Sequence, residues 1–293
     1  MKIRELYTGS GAPVLSLEVF PPSRSYPLET VFDTLDGLRE LHPAFISVTY
    51  GAAAGERERT VEIAARIQDH YPFEPLAHLT CLGQSREEIG RKLDELHDLG
   101  IENVLALRGD PPEDDPGFDP GSGDYRYACT LIEEIRKRNG FGIAAAAYPE
   151  GHVECPRVSE SHEHLKMKVD AGAEVLITQL FFDNRILYDF LEHAGAMGIG
   201  VPIVPGIMPV LNSKQIRRII YLCGVSIPAT VLRMLDRFGK SPADMERAGI
   251  DYAVEQVTDL IENGVPGVHL YTMNRTRQIS EIARRTGLAR AGG

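Results

Sequence analysis

The stretch "EPLAHLTCLGQSREEIGRKLDELHDLGIENVLALRG", residues 74–109, contains one complete unit of the chain's architecture. Its opening, "EPLAHLTC" (74–81), is a short apolar run of strand length. "REEIGRKLDELHDLG" follows, with apolar residues three and four apart, the spacing of one helix face. Ser85 and Glu88 stand at capping-box separation at its start, and Gly100 follows the last turn, where a C-cap glycine belongs. "NVLALRG" (103–109) then reads as a second strand. Strand, helix and strand joined by short turns form the β–α repeat of a parallel sheet.

Working outward, the same unit recurs. Strand-like runs are "PVLSLEVF" (13–20), "FISVTYG" (45–51), the two above, "GIAAAAYPE" (142–150), "EVLITQLFF" (174–182), "PIVPGIMP" (202–209) and "GVHLYTM" (267–273), eight in all, each followed by a helix-like segment. The connection after the seventh is longer, with helical patterns at about 212–224, 228–238 and 241–264. Eight pairs predict an α/β fold, a single (β/α)8 TIM barrel with extra helices after strand seven. We expect one catalytic domain over residues 1–293 and no C-terminal regulatory domain. The competing architecture, an open doubly wound sheet, usually carries a glycine-rich turn after its first strand. Here that turn is "FPPSRS", and no G-x-G-x-x-G occurs in the chain.

Composition narrows the function classes. Hydrophobic residues make up 43% and charged residues 25%, as in soluble globular proteins, and no apolar run reaches the roughly 20 residues that span a bilayer. "MKIRELYTGSG" has no apolar signal core, so a cytoplasmic protein is expected, without membrane contact. A net charge of −11, from 31 basic and 42 acidic residues, argues against a general nucleic-acid binder. Four cysteines at 81, 129, 155 and 223 lack ligand spacing, and no metal site or iron–sulfur cluster is indicated.

Barrel active sites form at the C-terminal strand ends. The polar residues there are Glu18, Thr49, Tyr50, His78, Thr80, Arg108, Asp110, Tyr148, Glu150, His152, Gln179, Asp183, Tyr271, Asn274 and Arg275. Glu18, inside an apolar run, is either a salt-bridge partner, with Arg24 or Arg108 opposite it, or a functional acid. His78 is either a bonded core histidine or a ligand contact. Gln179 must find a partner at the barrel mouth or stay unsatisfied. No strand carries a lysine for Schiff-base chemistry, and no serine or cysteine sits in a nucleophile elbow. In "HEHLK" (162–166) the two histidines diverge by roughly 200° on a helix, too far to share an ion. Tyrosines, a glycine-backed turn, Arg108, Lys168 and helix N-termini are compatible with a flat aromatic ligand bearing phosphates, without singling one out.

The segments "LEVFPP" (17–22), "SVTYGAAAGERERT" (47–60), "HLTC" (78–81), "ALRGDPP" (106–112), "AAYPEGH" (146–152), "KVDAGAEVLITQLFFD" (168–183), "PGIMPV" (205–210) and "YTMNR" (271–275) resemble the bacterial flavin-dependent methylenetetrahydrofolate reductases, in order along nearly the whole chain. The resemblance implies an oxidoreductase that binds FAD at the C-terminal face of a (β/α)8 barrel. By a ping-pong mechanism it would reduce 5,10-methylenetetrahydrofolate to 5-methyltetrahydrofolate with NADH or NADPH, in one-carbon metabolism and methionine supply. It implies Glu18 as the acid that protonates the folate and Asp110 as a catalytic residue that tunes the flavin and holds the pterin. It assigns Thr49, His78, Arg108, Gly109, Asp110, Tyr127, Ala128, Tyr148, His152 and Lys168 to FAD, and Gln179, Tyr271 and Arg275 to the folate. A homo-oligomer is implied as well. Two positions depart from the family pattern: Ser161 replaces an acidic FAD contact, and Ile219 falls where an aromatic ring stacks on the donor or the folate in some relatives. The alternative is a flavin- and folate-binding subunit that receives electrons from a partner electron-transfer protein.

Overall fold

The computed structural model describes residues 1–9, 11–23, 25–50, 54–111, 115, 117–138 and 140–289. Its strands are β1 (Val14–Val19), β2 (Phe45–Val48), β3 (Glu74–Thr80), β4 (Asn103–Leu107), β5 (Gly142–Ala147), β6 (Val175–Thr178), β7 (Ile203–Val204), β8 (Gly206–Ile207) and β9 (Gly267–Tyr271). The helices between and after them are α1 (Glu29–Arg39), α2 (Ala54–His70), α3 (Arg86–Asp98), α4 (Ala128–Lys137), α5 (Val158–Ala171), α6 (Asn184–Ala196), α7 (Ser213–Cys223), α8 (Ala229–Phe238), α9 (Pro242–Glu262) and α10 (Thr276–Arg285).

Every pairing is parallel, in the order β7-β6-β5-β4-β3-β2-β1-β9-β8. Because β7 and β8 are separated by Pro205 alone, they are two halves of one barrel position, one on β6 and the other on β9. This corrects the expected unbroken seventh strand. Proline has no N–H to give to a ladder, and its carbonyl accepts from His269 N at 2.9 Å. The other strands stop short of their expected C-terminal ends, where the chain leaves the ladder to build the mouth.

Alternation sorts the strand residues. Outward side chains such as Leu17, Ile46, Leu79 and Val104 join Leu35, Ile63 and Leu93 of the helices in the main core. Inward, Phe45, Leu76, Leu105, Ala144, Val175, Ile177 and Val204 fill the lower barrel, closed below by Ile3, Leu6 and Tyr7 of a short 3-10 turn, Ile3–Tyr7. Buried Asn103 holds that turn: its Oδ1 accepts from Ile3 N and its Nδ2 donates to Met1 O, both at 2.9 Å. α3 has the expected capping box, with Ser85 Oγ accepting from Glu88 N and Glu88 Oε2 from Ser85 N. It ends at Gly100 with φ +71°, whose N–H and that of Ile101 reach back to His97 O and Leu96 O. α7 and α8 form the excursion before α9 and have a separate small core, described below.

Gly206 lets the broken strand approach β6 and β9. A Cβ there would lie 2.3 Å from Thr178 O and 2.6 Å from Cε2 of Tyr271. Gly206→Ala is therefore expected to destabilise the protein by about 1–3 kcal/mol, the usual cost of overpacking. A urea midpoint equal to that of the parent would contradict this crowding.

Candidate active site

Glu18 is the only carboxylate-bearing residue buried among the described residues, at 6% exposure. Register sets it beside Ser47 of β2 and Tyr271 of β9. Ser47 Oγ donates to Glu18 Oε2 at 3.3 Å, while Nε2 of His78 lies 3.4 Å and Nε2 of His269 3.7 Å from the same oxygen. Ser47 Oγ is also 3.3 Å from His269 Nε2, and His269 Nδ1 is 2.9 Å from Ser16 Oγ. Strands β9, β1, β2 and β3 thus line one side of the interior with polar groups. Burial drives the His78 pKa down to about 4, against the attraction of Glu18, so its ring is neutral near pH 7. Burial, and then the charge of Glu18, raises the Tyr271 phenol well above its ordinary value.

The end of β1 is pinned by the loop after β9. Thr272 Oγ1 donates to Glu18 O at 2.6 Å, and the Asn274 amide pairs with both backbone groups of Phe20, at 3.0 and 2.9 Å. Met273 and Asn274 have φ of 49° and 53° there, and asparagine tolerates this left-handed conformation.

Across the mouth, Gly109 has φ +85°, and a Cβ on it would lie 2.8 Å from Thr80 Cβ. Arg108 pairs with Glu154, leaving its buried Nε without a hydrogen bond, and Asp110 is exposed. Tyr148 meets His152 edge-on, ring centroids 4.8 Å apart, and Lys168 Nζ lies 5.1 Å from the Tyr148 centroid. Lys168 Nζ donates to Ala146 O at 2.8 Å, and burial lowers its pKa to about 8. Burial, and then the charge of Asp110, moves Tyr148 up to about 12. His152 is lowered, first by burial. Thr49 is half-buried just past β2. Tyr127, exposed and stacked on His164 at 6.3 Å, precedes buried Ala128 at the start of α4, which has no side-chain cap. Gln179 Oε1 accepts from Leu180 N at 2.9 Å, Tyr271 Oη donates to Thr178 O at 2.7 Å, and Arg275 is exposed at the start of α10.

Most of the sequence-derived residues therefore fall at strand ends and in the loops after them, with Ala128 in α4 and Lys168 in α5, and one expectation is corrected. Glu18 does not pair with Arg108, which binds Glu154; its neighbours are two histidines and a serine, and Arg24 lies outside the described residues. Lys168, in α5, directs its ammonium to Ala146 O and the Tyr148 ring. Ile219 turns into the α7–α8 core at 8% exposure, while Cys223 is the α7 residue close enough to Asp110 for that charge to raise its thiol pKa, after burial. Ser161 is buried, its Oγ accepting from His152 N at 3.1 Å. Sequence reading missed Ser16, Ser47 and His269. The available signal was alternation, since Ser16 precedes Glu18 and His269 precedes Tyr271 by two residues, on the same strand face.

The profile of the family described as "Methylenetetrahydrofolate reductase" matches residues 2–287. The chain belongs to this family. It is 37% identical over 275 residues to the 5,10-methylenetetrahydrofolate reductase of Escherichia coli (strain K12), covering 94% of this chain and 90% of that protein. With methylenetetrahydrofolate reductase (NADH) 1 of Arabidopsis thaliana it shares 36% over 292 residues, 96% of this chain and 49% of the plant protein. The chain thus spans about half the length of its plant relatives in the family. An uncharacterised protein from Clostridium thermocellum, described as binding two copies of 5-methyl-5,6,7,8-tetrahydrofolic acid, aligns over 98% of both chains with a TM-score of 0.68 at 14% identity, a likeness of fold. No helix among the described residues is long and apolar enough to cross a membrane.

His78 makes stability depend on pH. Its folded pKa of about 4 lies below the ordinary 6.5, so the unfolded chain binds more protons between these values. Its contribution is complete above pH 6.5 and is lost as pH falls toward 4, by at most about 3 kcal/mol. In His78→Gln the fall in melting temperature across this window should be shallower; an unchanged slope would show that other groups set the acid sensitivity.

Proposed function

We propose that this chain reduces 5,10-methylenetetrahydrofolate to 5-methyltetrahydrofolate, using FAD at the barrel mouth and NADH or NADPH as donor. The observation that carries this reading is Glu18, the one buried carboxylate among the described residues, at the C-terminal end of β1 beside Ser47, His78 and His269. Family membership and the folate named for its relatives support the substrate.

The residues around the mouth suit FAD. The unpartnered Nε of Arg108 and the uncapped N-termini of α4 and α5 supply donors for phosphates. The left-handed Gly109 gives the close backbone approach that a flat ring system needs, and Tyr148, His152 and Thr49 border it. When bound, FAD supplies the redox chemistry, taking a hydride from the nicotinamide and passing it to the folate. One mouth serving both in turn gives ping-pong kinetics.

The protein's own part is acid catalysis and orientation. Glu18 delivers its proton to the ring nitrogen of the folate that departs as the five-membered ring opens, leaving an iminium carbon ready for hydride. Ser47 holds the carboxyl by a hydrogen bond, two imidazoles lie beside it, and Thr272 and Asn274 fix the backbone that bears it. Gln179, Tyr271 and Arg275 hold the folate, and Asp110 sets the negative charge beside the pterin and flavin.

In Glu18→Gln, flavin binding and reduction by the nicotinamide donor should stay within about tenfold of wild type. Reoxidation by methylenetetrahydrofolate should fall by roughly 10² to 10⁴, the range of a positioned acid. Anaerobic stopped-flow measurement of both half-reactions checks this, and wild-type reoxidation would remove Glu18 from the acid's role. Failure of NADH and NADPH to bleach a yellow wild-type protein that a reduced partner protein does bleach would favour the partner-fed reading instead. Asp110→Asn should fold normally and raise the flavin reduction potential, since a negative charge beside the electron-rich reduced ring is lost. Spectroelectrochemistry reads that shift, and an unmoved potential would separate Asp110 from the flavin.

A further inference from the structure

Positive charge is unevenly placed along the chain. Residues 212–240 hold six basic side chains and one acidic one, in a chain whose net charge is −11. On the outer face of α8 this charge forms a stripe. Arg233, Arg237 and, just past the helix, Lys240 recur at four- and three-residue spacing and are exposed, with Leu232 54% exposed beside them and Asp236 the one acid. Arg237 lies 5.0 Å from the centroid of the Phe238 ring, and none of the three cations has a carboxylate at ion-pair distance among the described residues.

Beside the start of the same helix the surface has the opposite sign. A pocket of about 410 Å³ lies among α6, α8 and α9, with Pro228 and Thr230 on its α8 side. Asp183, Glu255 and Asp259 bring three carboxylates to it and Arg185 one guanidinium, which pairs with Asp183. Asp259 accepts from Asn184 Nδ2 at 2.7 Å and from Tyr188 Oη at 2.6 Å, neutral donors that leave its charge uncancelled. Glu255 is exposed and has no ion pair among the described residues. Asn184 lines the pocket too, and its buried Oδ1 accepts no hydrogen bond, which is unfavourable unless a donor arrives.

We propose that this face docks a second copy of the chain, with α8 of each copy lying antiparallel to the other about a two-fold axis near Leu232. A contact of this symmetry is isologous, so the patch must complement itself. It does: the cations lie toward the C-terminal end of α8 and the acid-lined pocket at its N-terminal end. Arg237 is five residues beyond Leu232, about 7.5 Å along the helix, so antiparallel pairing carries it across to the pocket at the start of the second copy's α8. There its guanidinium meets Glu255 and Asp259 and brings N–H donors to Asn184 Oδ1, and symmetry repeats the contact. Leu232 meets its own counterpart at the axis, away from water. A nucleic acid or an anionic lipid surface would answer the cations but be repelled by the carboxylates beside them, whereas a second copy answers both. Docking also braces the small core under α7 and α8, whose far side reaches the mouth, where Glu150 Oε2 accepts from Ser226 N at 2.9 Å.

Charge reversal in the full-length protein tests the pairing, independently of the reaction proposed above. Sedimentation of the wild type at micromolar concentration and low salt should show a dimer or a larger even-numbered assembly, loosened as added salt screens the contact. Arg237→Glu and Glu255→Arg each set like charges against each other at both symmetry-related contacts, and each alone should weaken the assembly by about tenfold or more. Mixed in equal amounts, the two variants regain opposite charges at both contacts, so the mixed dimer should form with about the wild-type affinity. A monomeric wild type, an assembly that neither variant weakens, or variants that stay apart when mixed would each overturn the proposal. A monomer that instead binds an acidic protein, and loses it in Arg237→Glu, would give the face to that partner. If either variant fails to fold, Leu232→Asp places like charges at the axis, and an assembly it leaves unchanged overturns the proposal equally.

Discussion

The pairing of β9 with β1 is the constraint on which the rest of the structure depends. It joins the last strand to the first and brings Ser16 opposite His269 and Glu18 opposite Tyr271. A slip of one residue at this seam would send Glu18 into the helix layer and bring Leu17 inside, because side chains alternate with period two. The seam is held beyond its ladder by Thr272 and Asn274, whose side chains bond to the backbone of Glu18 and Phe20. One loop therefore both closes the barrel and aims the carboxylate.

The interior that results has two characters. Across β4 to β7 it is aliphatic and small, with Ala144, Leu105, Val175, Ile177 and Val204; across β9, β1, β2 and β3 it carries hydroxyls, imidazoles and an acid. Low polarity on the first side strengthens each electrostatic contact on the second and keeps His78 uncharged. The carboxyl then faces a serine hydroxyl and two imidazoles rather than a guanidinium.

Much of this was legible in the sequence because the β–α units repeat with clear periodicity, and the Ser85 and Glu88 cap is a local signal with local partners. The strand-end polar residues could be located for the same reason. Their partners could not, since the neighbours of Glu18 come from β2, β3 and β9, and only register joins them. Arg108 was a reasonable counter-ion by charge alone, yet Glu154, in the loop after β5, takes it. "PIVPGIMP" reads as one apolar strand, and the break at Pro205 emerges only when both neighbours, β6 and β9, are known. That Ile219 packs with Val210 and Val231 was likewise not legible, because its partners come from separate segments of the chain.

The separate core under α7 and α8 has a consequence for how stability is distributed. Ile216, Ile219, Val225 and Val231 pack with Leu180, Phe182, Met208, Val210 and Met245, apart from the main layer between strands and helices. The outer faces of these two helices leave Tyr221 86% and Leu232 54% exposed. A small cluster of this kind can come apart while the barrel ladder stays whole, so amide protons in α7 and α8 should exchange with solvent through local opening long before those of β1, β2 and β9. Cooperative units of unequal strength thus lie within one continuous chain, the weaker one bordering the mouth through Cys223 and the stronger one carrying Glu18.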